Sequence, residues 1–208
     1  MLTVKEAIEA RRSIRRFRPD PVPDDLLREV LEAARQAPSA GNVQPWAFLV
    51  VRDPNLKEQL KQICLEQKFV AEAPADIVCC ADLESYSKKA RLLRYQEYVA
   101  SGTLATLSGR YADPNYLRSQ PPPEEAALRA KVIANTFIAV THLVLMATAV
   151  GLSTCWVGGF DDAANISKLF KLRESLLPVA VIPLGYAAGS IPAPRPRRPL
   201  EEMLLPSP

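Results

Sequence analysis

From Val132 to Phe160 the chain carries no charged residue. A run of that length either crosses a bilayer or is wrapped in protein. Asn135, Thr136, Thr141, His142 and Thr148 interrupt its first part with polar groups, and Gly151, Gly158 and Gly159 break its second. A helix from Glu124 to Val150, apolar on nearly every face of its second half, followed by a buried strand at Thr154–Val157, fits this pattern better than a membrane span. Such a helix needs protein on most sides, from its own core or from a second subunit. Met1 to Ala10 carries Lys5, Glu6 and Glu9, so no secretory leader is expected and a cytoplasmic location is.

The remaining elements alternate helix and strand. Thr3-Val-Lys-Glu6 has the form of a capping box and predicts a helix to about Arg12. Pro23-Asp24-Asp25 opens a second helix with Leu26, Leu27, Val30, Leu31 and Ala34 as its apolar stripe and Pro38 at its end. Trp46–Val51 and Ile77–Ala81 read as strands, with a helix capped by Asp53-Pro54 between them. Ser85–Ser101 is helical in pattern, Tyr111–Glu124 is a long loop, Asp161–Leu172 a surface helix and Pro178–Leu184 a further strand. The order suggests an α/β or α+β domain spanning residues 1–208. The tail after Ala187 is apolar and proline-rich, with neither helical nor strand period, so it either hangs free or lies on another surface.

Several function classes are disfavoured. The net charge of +3 is too small to imply a polyanion partner. The four cysteines, Cys64, Cys79, Cys80 and Cys155, form no C-x-x-C pair and read as buried thiols. With one histidine, His142, and no histidine–carboxylate motif, a metal site is not expected. There is no G-x-G-x-x-G after a strand, no P-loop and no G-x-S-x-G elbow.

Three segments carry groups suited to ligand chemistry. Arg11-Arg12-Ser13-Ile14-Arg15-Arg16-Phe17 offers planar guanidinium donors and a hydroxyl, which suit a phosphate and a polyol. The same run also fits a solvated basic edge or a weak nucleic-acid patch, although it lacks interleaved stacking aromatics. Ala37-Pro38-Ser39-Ala40-Gly41-Asn42-Val43-Gln44-Pro45-Trp46 combines small residues with amides able to meet a flat heteroaromatic edge. It also fits a plain helix-to-strand turn. Cys155-Trp156-Val157-Gly158-Gly159-Phe160 places two glycines between a strand and a helix, where backbone N–H groups can meet an anion or a ring nitrogen, or simply form a turn.

Taken in order, R-R-S-I-R-x-F, A-P-S-A-G-N-x-Q-P-W, T-C-W-V-G-G-F, a late P-L-G-Y and a closing R-x-R-R-P-L resemble the FMN-binding nitroreductase family over nearly the whole chain. The resemblance implies an α+β fold, an antiparallel-rich sheet wrapped by helices. It implies a homodimer with the long helix in the dimer core and the C-terminal extension embracing the partner. Arg11, Arg12, Ser13 and Arg15 then correspond to the first FMN cluster, on phosphate, ribityl chain and pyrimidine edge. Pro38, Ser39 and Asn42 correspond to the segment beside the isoalloxazine, commonly supplied by the other subunit. Gln67 corresponds to an amide near the flavin. Val157, Gly158 and Gly159 correspond to the stretch whose backbone N–H donates to flavin N5, and Arg195 and Arg197 to the closing phosphate pair. His142 and Asn135 stand where many relatives carry an amide and several an acid. The segment from Arg110 to Pro123, which borders the substrate in relatives, has no legible signature.

The implied activity is ping-pong transfer of reducing equivalents from NADH or NADPH, through flavin N5, to a small acceptor such as a nitroaromatic or quinone. Donors near N5 and O2, with Arg15 at the pyrimidine edge, stabilise the reduced ring. No catalytic acid or base is evident. The alternatives are a non-catalytic flavin-binding or sensor protein on the same fold, and the FMN-cleaving, benzimidazole-forming subgroup. Arg12-Ser13-Ile14 and Gly41-Asn42-Val43 look more like the general reductases. Neither nucleic acid nor membrane is expected as a partner.

Overall fold

The computed structural model of the protein describes residues 1–103, 113, 121 and 123–205. Four strands form one antiparallel sheet: β1 (Trp46–Val51), β2 (Ala75–Asp82), β3 (Ser153–Thr154) and β4 (Leu176–Gly185), in the order β1-β2-β4-β3. β2 is buried along nearly its whole length and alternates strictly. Ile77 and Cys79 face one core, while Val78 and Cys80 face another. A strand with both faces apolar needs cover on both sides. On the first face lie α2 (Asp24–Arg35) and the 25-residue α6 (Glu125–Ala149), which bury Leu27, Val30, Ala34, Ala139, Val140, Leu143 and Ala147. On the second lie α3 (Pro54–Ile63), α4 (Lys68–Glu72) and α7 (Ala163–Leu169), with Leu60, Phe69, Val70 and Ile166 buried. The architecture is α+β, as the resemblance implies.

Local signals set most boundaries. The Thr3 capping box is present in both directions, and α1 (Val4–Ala10) stops short of Arg12 because Arg11 turns extended. Asp53 caps α3 by accepting the Leu56 N–H. α2 ends at Arg35, before Pro38 is reached. α5 (Lys88–Ala100) starts at the Ser87 cap, after a 3₁₀ turn at Leu83–Tyr86. The expected strand Thr154–Val157 is shorter than predicted. Cys155 donates to the carbonyl of Pro183, which has no N–H to return, and the ladder resumes only at Val157 opposite Val181. The surface helix is trimmed to Ala163–Leu169, where Asp162 caps it and Lys171 adopts a positive φ of 49°. The expected loop at Tyr111–Glu124 falls largely outside the described residues.

α6 is long and apolar enough to cross a membrane. One side is packed into the core, while Ala134, Ile138 and Thr141 on the other side are exposed within a single chain. His142 is half-buried on the same helix. All four cysteines are buried and free.

Two packing details give direct tests. Gly185, in the P-L-G-Y motif, leaves no room for a Cβ. A methyl there would stand 2.5 Å from Pro74 Cδ and 3.2 Å from Phe17 Cδ1. Gly185→Ala is expected to destabilise by about 1–3 kcal/mol, the range for overpacking. Denaturant unfolding measures it, and an unchanged midpoint contradicts the packing account.

Asp76 is fully buried, and neither of its carboxyl oxygens has a hydrogen-bond partner among the described residues. Lys57, itself buried, donates to the Ala73 carbonyl at 2.5 Å. Burial pushes the Asp76 carboxyl well above its usual range, and the Lys57 charge opposes the shift only in part. The folded chain therefore keeps a proton that the unfolded chain releases near pH ~4. Stability from this group is full below that pH and is lost as pH rises above it. Asp76→Asn should flatten that decline. Melting temperatures of both proteins from pH 4 to 8 test this, and parallel curves contradict it.

Candidate functional site

The first arginine loop runs along the β3 edge. Ser13 forms a parallel bridge to Thr154, and the Ile14 N–H donates to the Thr154 carbonyl at 2.9 Å. Ile14 and Phe17 are buried, which turns Arg15 and Arg16 outward. The Arg15 guanidinium lies 5.8 Å from the Phe69 ring centre, on α4. Burial raises the Cys155 thiol pKa, and the nearby positive charges of Arg15 and Arg11 partly offset the rise. Neither Arg11 nor Arg15 has a carboxylate partner among the described residues.

The turn that leads into Gln67 packs against the double-glycine stretch. Leu65 and Glu66 both take positive φ, and this turn leads to Gln67, which starts α4. The Asp161 N–H donates to the Ile63 carbonyl at 3.1 Å, and a Cβ on Gly159 would lie 3.5 Å from Leu65 Cδ1. Gln67 Nε2 donates to the Cys64 carbonyl at 2.9 Å, so part of its amide is spent on its own turn. Val157 exchanges both backbone hydrogen bonds with Val181. Its N–H is therefore occupied. Within the Val157–Gly159 stretch, Gly158 and Gly159 have exposed backbone with no amide partner among the described residues.

The second segment lies elsewhere. Gly41, Asn42 and Gln44 take positive φ of 66°, 49° and 48°, which explains the small and amide residues of this motif. The Ser39 hydroxyl accepts the Gln44 N–H at 2.9 Å and closes the turn. Asn135 Oδ1 accepts the Ala40 N–H at 2.7 Å, the Tyr86 hydroxyl donates to the Ala40 carbonyl at 3.3 Å, and the Thr136 hydroxyl donates to the Pro45 carbonyl at 2.9 Å. Neither Asn135 nor Thr136 is a candidate site residue in the sequence. Adjacent polar residues inside an apolar helix were the signal that something polar had to be held there.

Pro38, Ser39 and Asn42 are thus far from Ser13 within one chain. The Pro45 carbonyl accepts the Asp82 N–H at one end of β2, while Ser13 meets Thr154, which pairs with Leu184 opposite Ala75 at the other end. That is about 20 Å along the strands, with the full width of the sheet added. The two segments also sit on opposite faces, one tied to α6 and the other to α4.

Arg195 and Arg197 are exposed on the tail. Among the described residues Arg197 donates only to the Arg195 and Pro196 carbonyls. The tail is not wholly irregular, because a 3₁₀ turn forms at Leu200–Glu202. Arg12 differs from its neighbours: its guanidinium donates to the carbonyls of Glu9, Arg11 and Pro192. A concavity of about 610 Å³, lined by Arg129, Lys168, Lys171 and Arg173 among others, contains none of the residues singled out by the sequence. Two of its cations are neutralised, Arg129 by Glu125 and Arg173 by Asp82.

An antiparallel sheet between helical layers, a long half-covered helix and an arginine loop at the sheet edge define an α+β domain of nitroreductase type. The chain belongs to the nitroreductase family, whose profile matches residues 8–186. It is 37% identical over 206 residues to a Thermus thermophilus protein named NADH dehydrogenase, covering 99% of this chain and 96% of that one. Among solved structures it resembles a putative nitroreductase from Bacillus subtilis, at 26% identity and TM-score 0.81, covering 97% of each chain. It shares its fold with a putative nitroreductase in complex with FMN from Exiguobacterium sibiricum, at 23% identity and TM-score 0.79, covering 98% of this chain and 97% of that one.

Asn135→Ala removes the acceptor of the Ala40 N–H, an expected cost of about 0.5–1.5 kcal/mol because Ala40 is exposed. Hydrogen exchange at Ala40–Gln44 should accelerate while β2 and β4 stay slow. Unchanged exchange in the loop contradicts the assigned anchor.

Proposed function

We propose that the protein is a cytoplasmic, homodimeric FMN-dependent oxidoreductase. The observation that carries this reading is the convergence of Arg11, Ser13, Arg15, Gln67 and Gly158–Gly159 along one sheet edge, with neither arginine neutralised by a carboxylate among the described residues. This donor set fits the cofactor's chemistry: guanidinium forks for a phosphomonoester, a hydroxyl for a polyol, and backbone amides for a ring. FMN, when bound, supplies reversible redox chemistry, with reducing equivalents entering from NADH or NADPH and leaving, in ping-pong alternation, to a nitroaromatic, quinone or similar small acceptor.

In this reading Arg11 and Ser13 hold the phosphate and ribityl chain, joined by Arg195 and Arg197 from the tail. Arg15 lies at the pyrimidine edge and Gln67 near the ring. The Gly158 and Gly159 amides donate to the ring, because the Val157 N–H is committed to Val181. Pro38, Ser39 and Asn42 come from a second copy. Their separation from Ser13 in one chain supports this, since no single ligand of this size touches both groups intramolecularly. The exposed strip at Ala134, Ile138 and Thr141 and the apolar tail supply surfaces for the partner. A close relative's name mentions NADH, which favours an enzyme over a non-catalytic flavin sensor.

The purified protein should release FMN on heating, and anaerobic NADH or NADPH should bleach its flavin absorbance. Recovery of FAD, or of no flavin after reconstitution, contradicts the cofactor assignment. A stable flavin spectrum under both nucleotides favours the sensor. Arg11→Ala/Arg15→Ala and Ser39→Ala/Asn42→Ala proteins, each inactive alone, should regain activity when refolded together, because a mixed dimer holds one intact site. A dimer without recovery puts both segments on one chain.

A further inference from the structure

We infer that Arg12 is the clasp of the C-terminal tail, holding Arg195 and Arg197 near the first arginine loop; the consequence for FMN rests on the function proposed above. The tail leaves β4 and runs antiparallel beside the loop. The Arg18 N–H donates to the Tyr186 carbonyl at 2.9 Å, Phe17 bridges Ala187, and the Ala188 N–H donates to the Arg16 carbonyl at 2.9 Å. Continued in the same register, this pairing sets Arg12 opposite Pro192.

Main-chain pairing does not extend that far, for two reasons. Ile14 gives its N–H to Thr154 on β3 instead. On the other strand, Pro192, Pro194 and Pro196 have no N–H to offer. At this point a side chain replaces the ladder. Arg12 Nε donates to the Pro192 carbonyl at 3.2 Å, while its Nη1 is braced on the Glu9 carbonyl at 2.6 Å and the Arg11 carbonyl at 2.9 Å. Three of the five guanidinium N–H groups are thus spent on carbonyls, and the rigid fork spans two chain segments at once. Arg11 and Arg15 make no comparable contact with the tail.

The clasp shortens the tether to the terminal arginines. With it, Arg195 lies three residues beyond its last fixed point, and without it the last fixed point is Ala188, seven residues away. Effective concentration falls roughly as the −3/2 power of tether length, so loss of the clasp should weaken a tail-borne contact by about fourfold. Loss of a direct charged hydrogen bond to phosphate would cost more than about tenfold.

The test uses the intact protein, with and without saturating FMN. Arg12→Ala should speed hydrogen exchange severalfold at the Ala188 amide, the bonded tail amide nearest the clasp, and raise the FMN Kd by about fourfold. Arg12→Lys should do the same, because one ammonium does not bridge Pro192 and Glu9, whereas it would preserve most of a direct charge contact. In an Arg195→Ala/Arg197→Ala background, Arg12→Ala should add no further loss. Unchanged tail exchange overturns the clasp. Multiplying losses of FMN affinity overturn it as well, and make Arg12 a direct ligand. A tail freed in Arg12→Ala with no variant altering FMN affinity leaves the clasp standing and removes the FMN reading instead.

Discussion

The structure depends on the hydrogen-bonded pair β2–β4 and on the burial of both of its faces. β4 is the strand that closes the sheet: it pairs with β2 on one side and β3 on the other, and Val181 holds Val157 in place. Ile77, Cys79, Ala180 and Ile182 point one way, while Val78, Cys80 and Val181 point the other. Two apolar faces commit the rest of the chain to two helical layers. The loops that carry polar chemistry are then fixed at the rims, some through bonds to this pair and others through bonds to the helices that cover it.

Much of this was legible in the sequence because the signals are local. The apolar run Trp46–Val51, the Asp53-Pro54 cap and the Thr3-x-x-Glu6 box each act within a few residues and hold in the fold. The errors arose where a distant partner decides. The strand after Leu152 is cut to two residues because its neighbour across the sheet is Pro183, which no local pattern announces. α4 is only five residues long, with Phe69 and Val70 buried, and is too short for its periodicity to show.

The candidate site was legible in composition and not in placement. Runs of arginine, of small residues and of paired glycine identify groups able to meet a ligand. Only the fold shows that the Val157 N–H is already bonded, that Gln67 partly serves its own turn, and that Arg12 is turned toward the tail. The Gly41–Asn42–Gln44 turn illustrates the same division. Its residues announce left-handed backbone, but its anchors are distant in sequence: Asn135 and Thr136 on the long helix, and Tyr86. That helix therefore supports the loop with one face and leaves another face bare, so the loop's geometry and any surface that covers the helix share one rigid body.

The zipper between residues 12–18 and 186–192 has a consequence for how the protein is made. Residues 12–18 leave the ribosome long before residues 186–192, and β4, a central strand of the sheet, is synthesised after the other three. Contacts of such high sequence separation form late and slowly. A nascent or truncated chain holds β1 and β2 without the strand that completes them, and so exposes an unsatisfied sheet edge. The arginine loop likewise stays unpaired on this side until residues 186–192 emerge and close the corner.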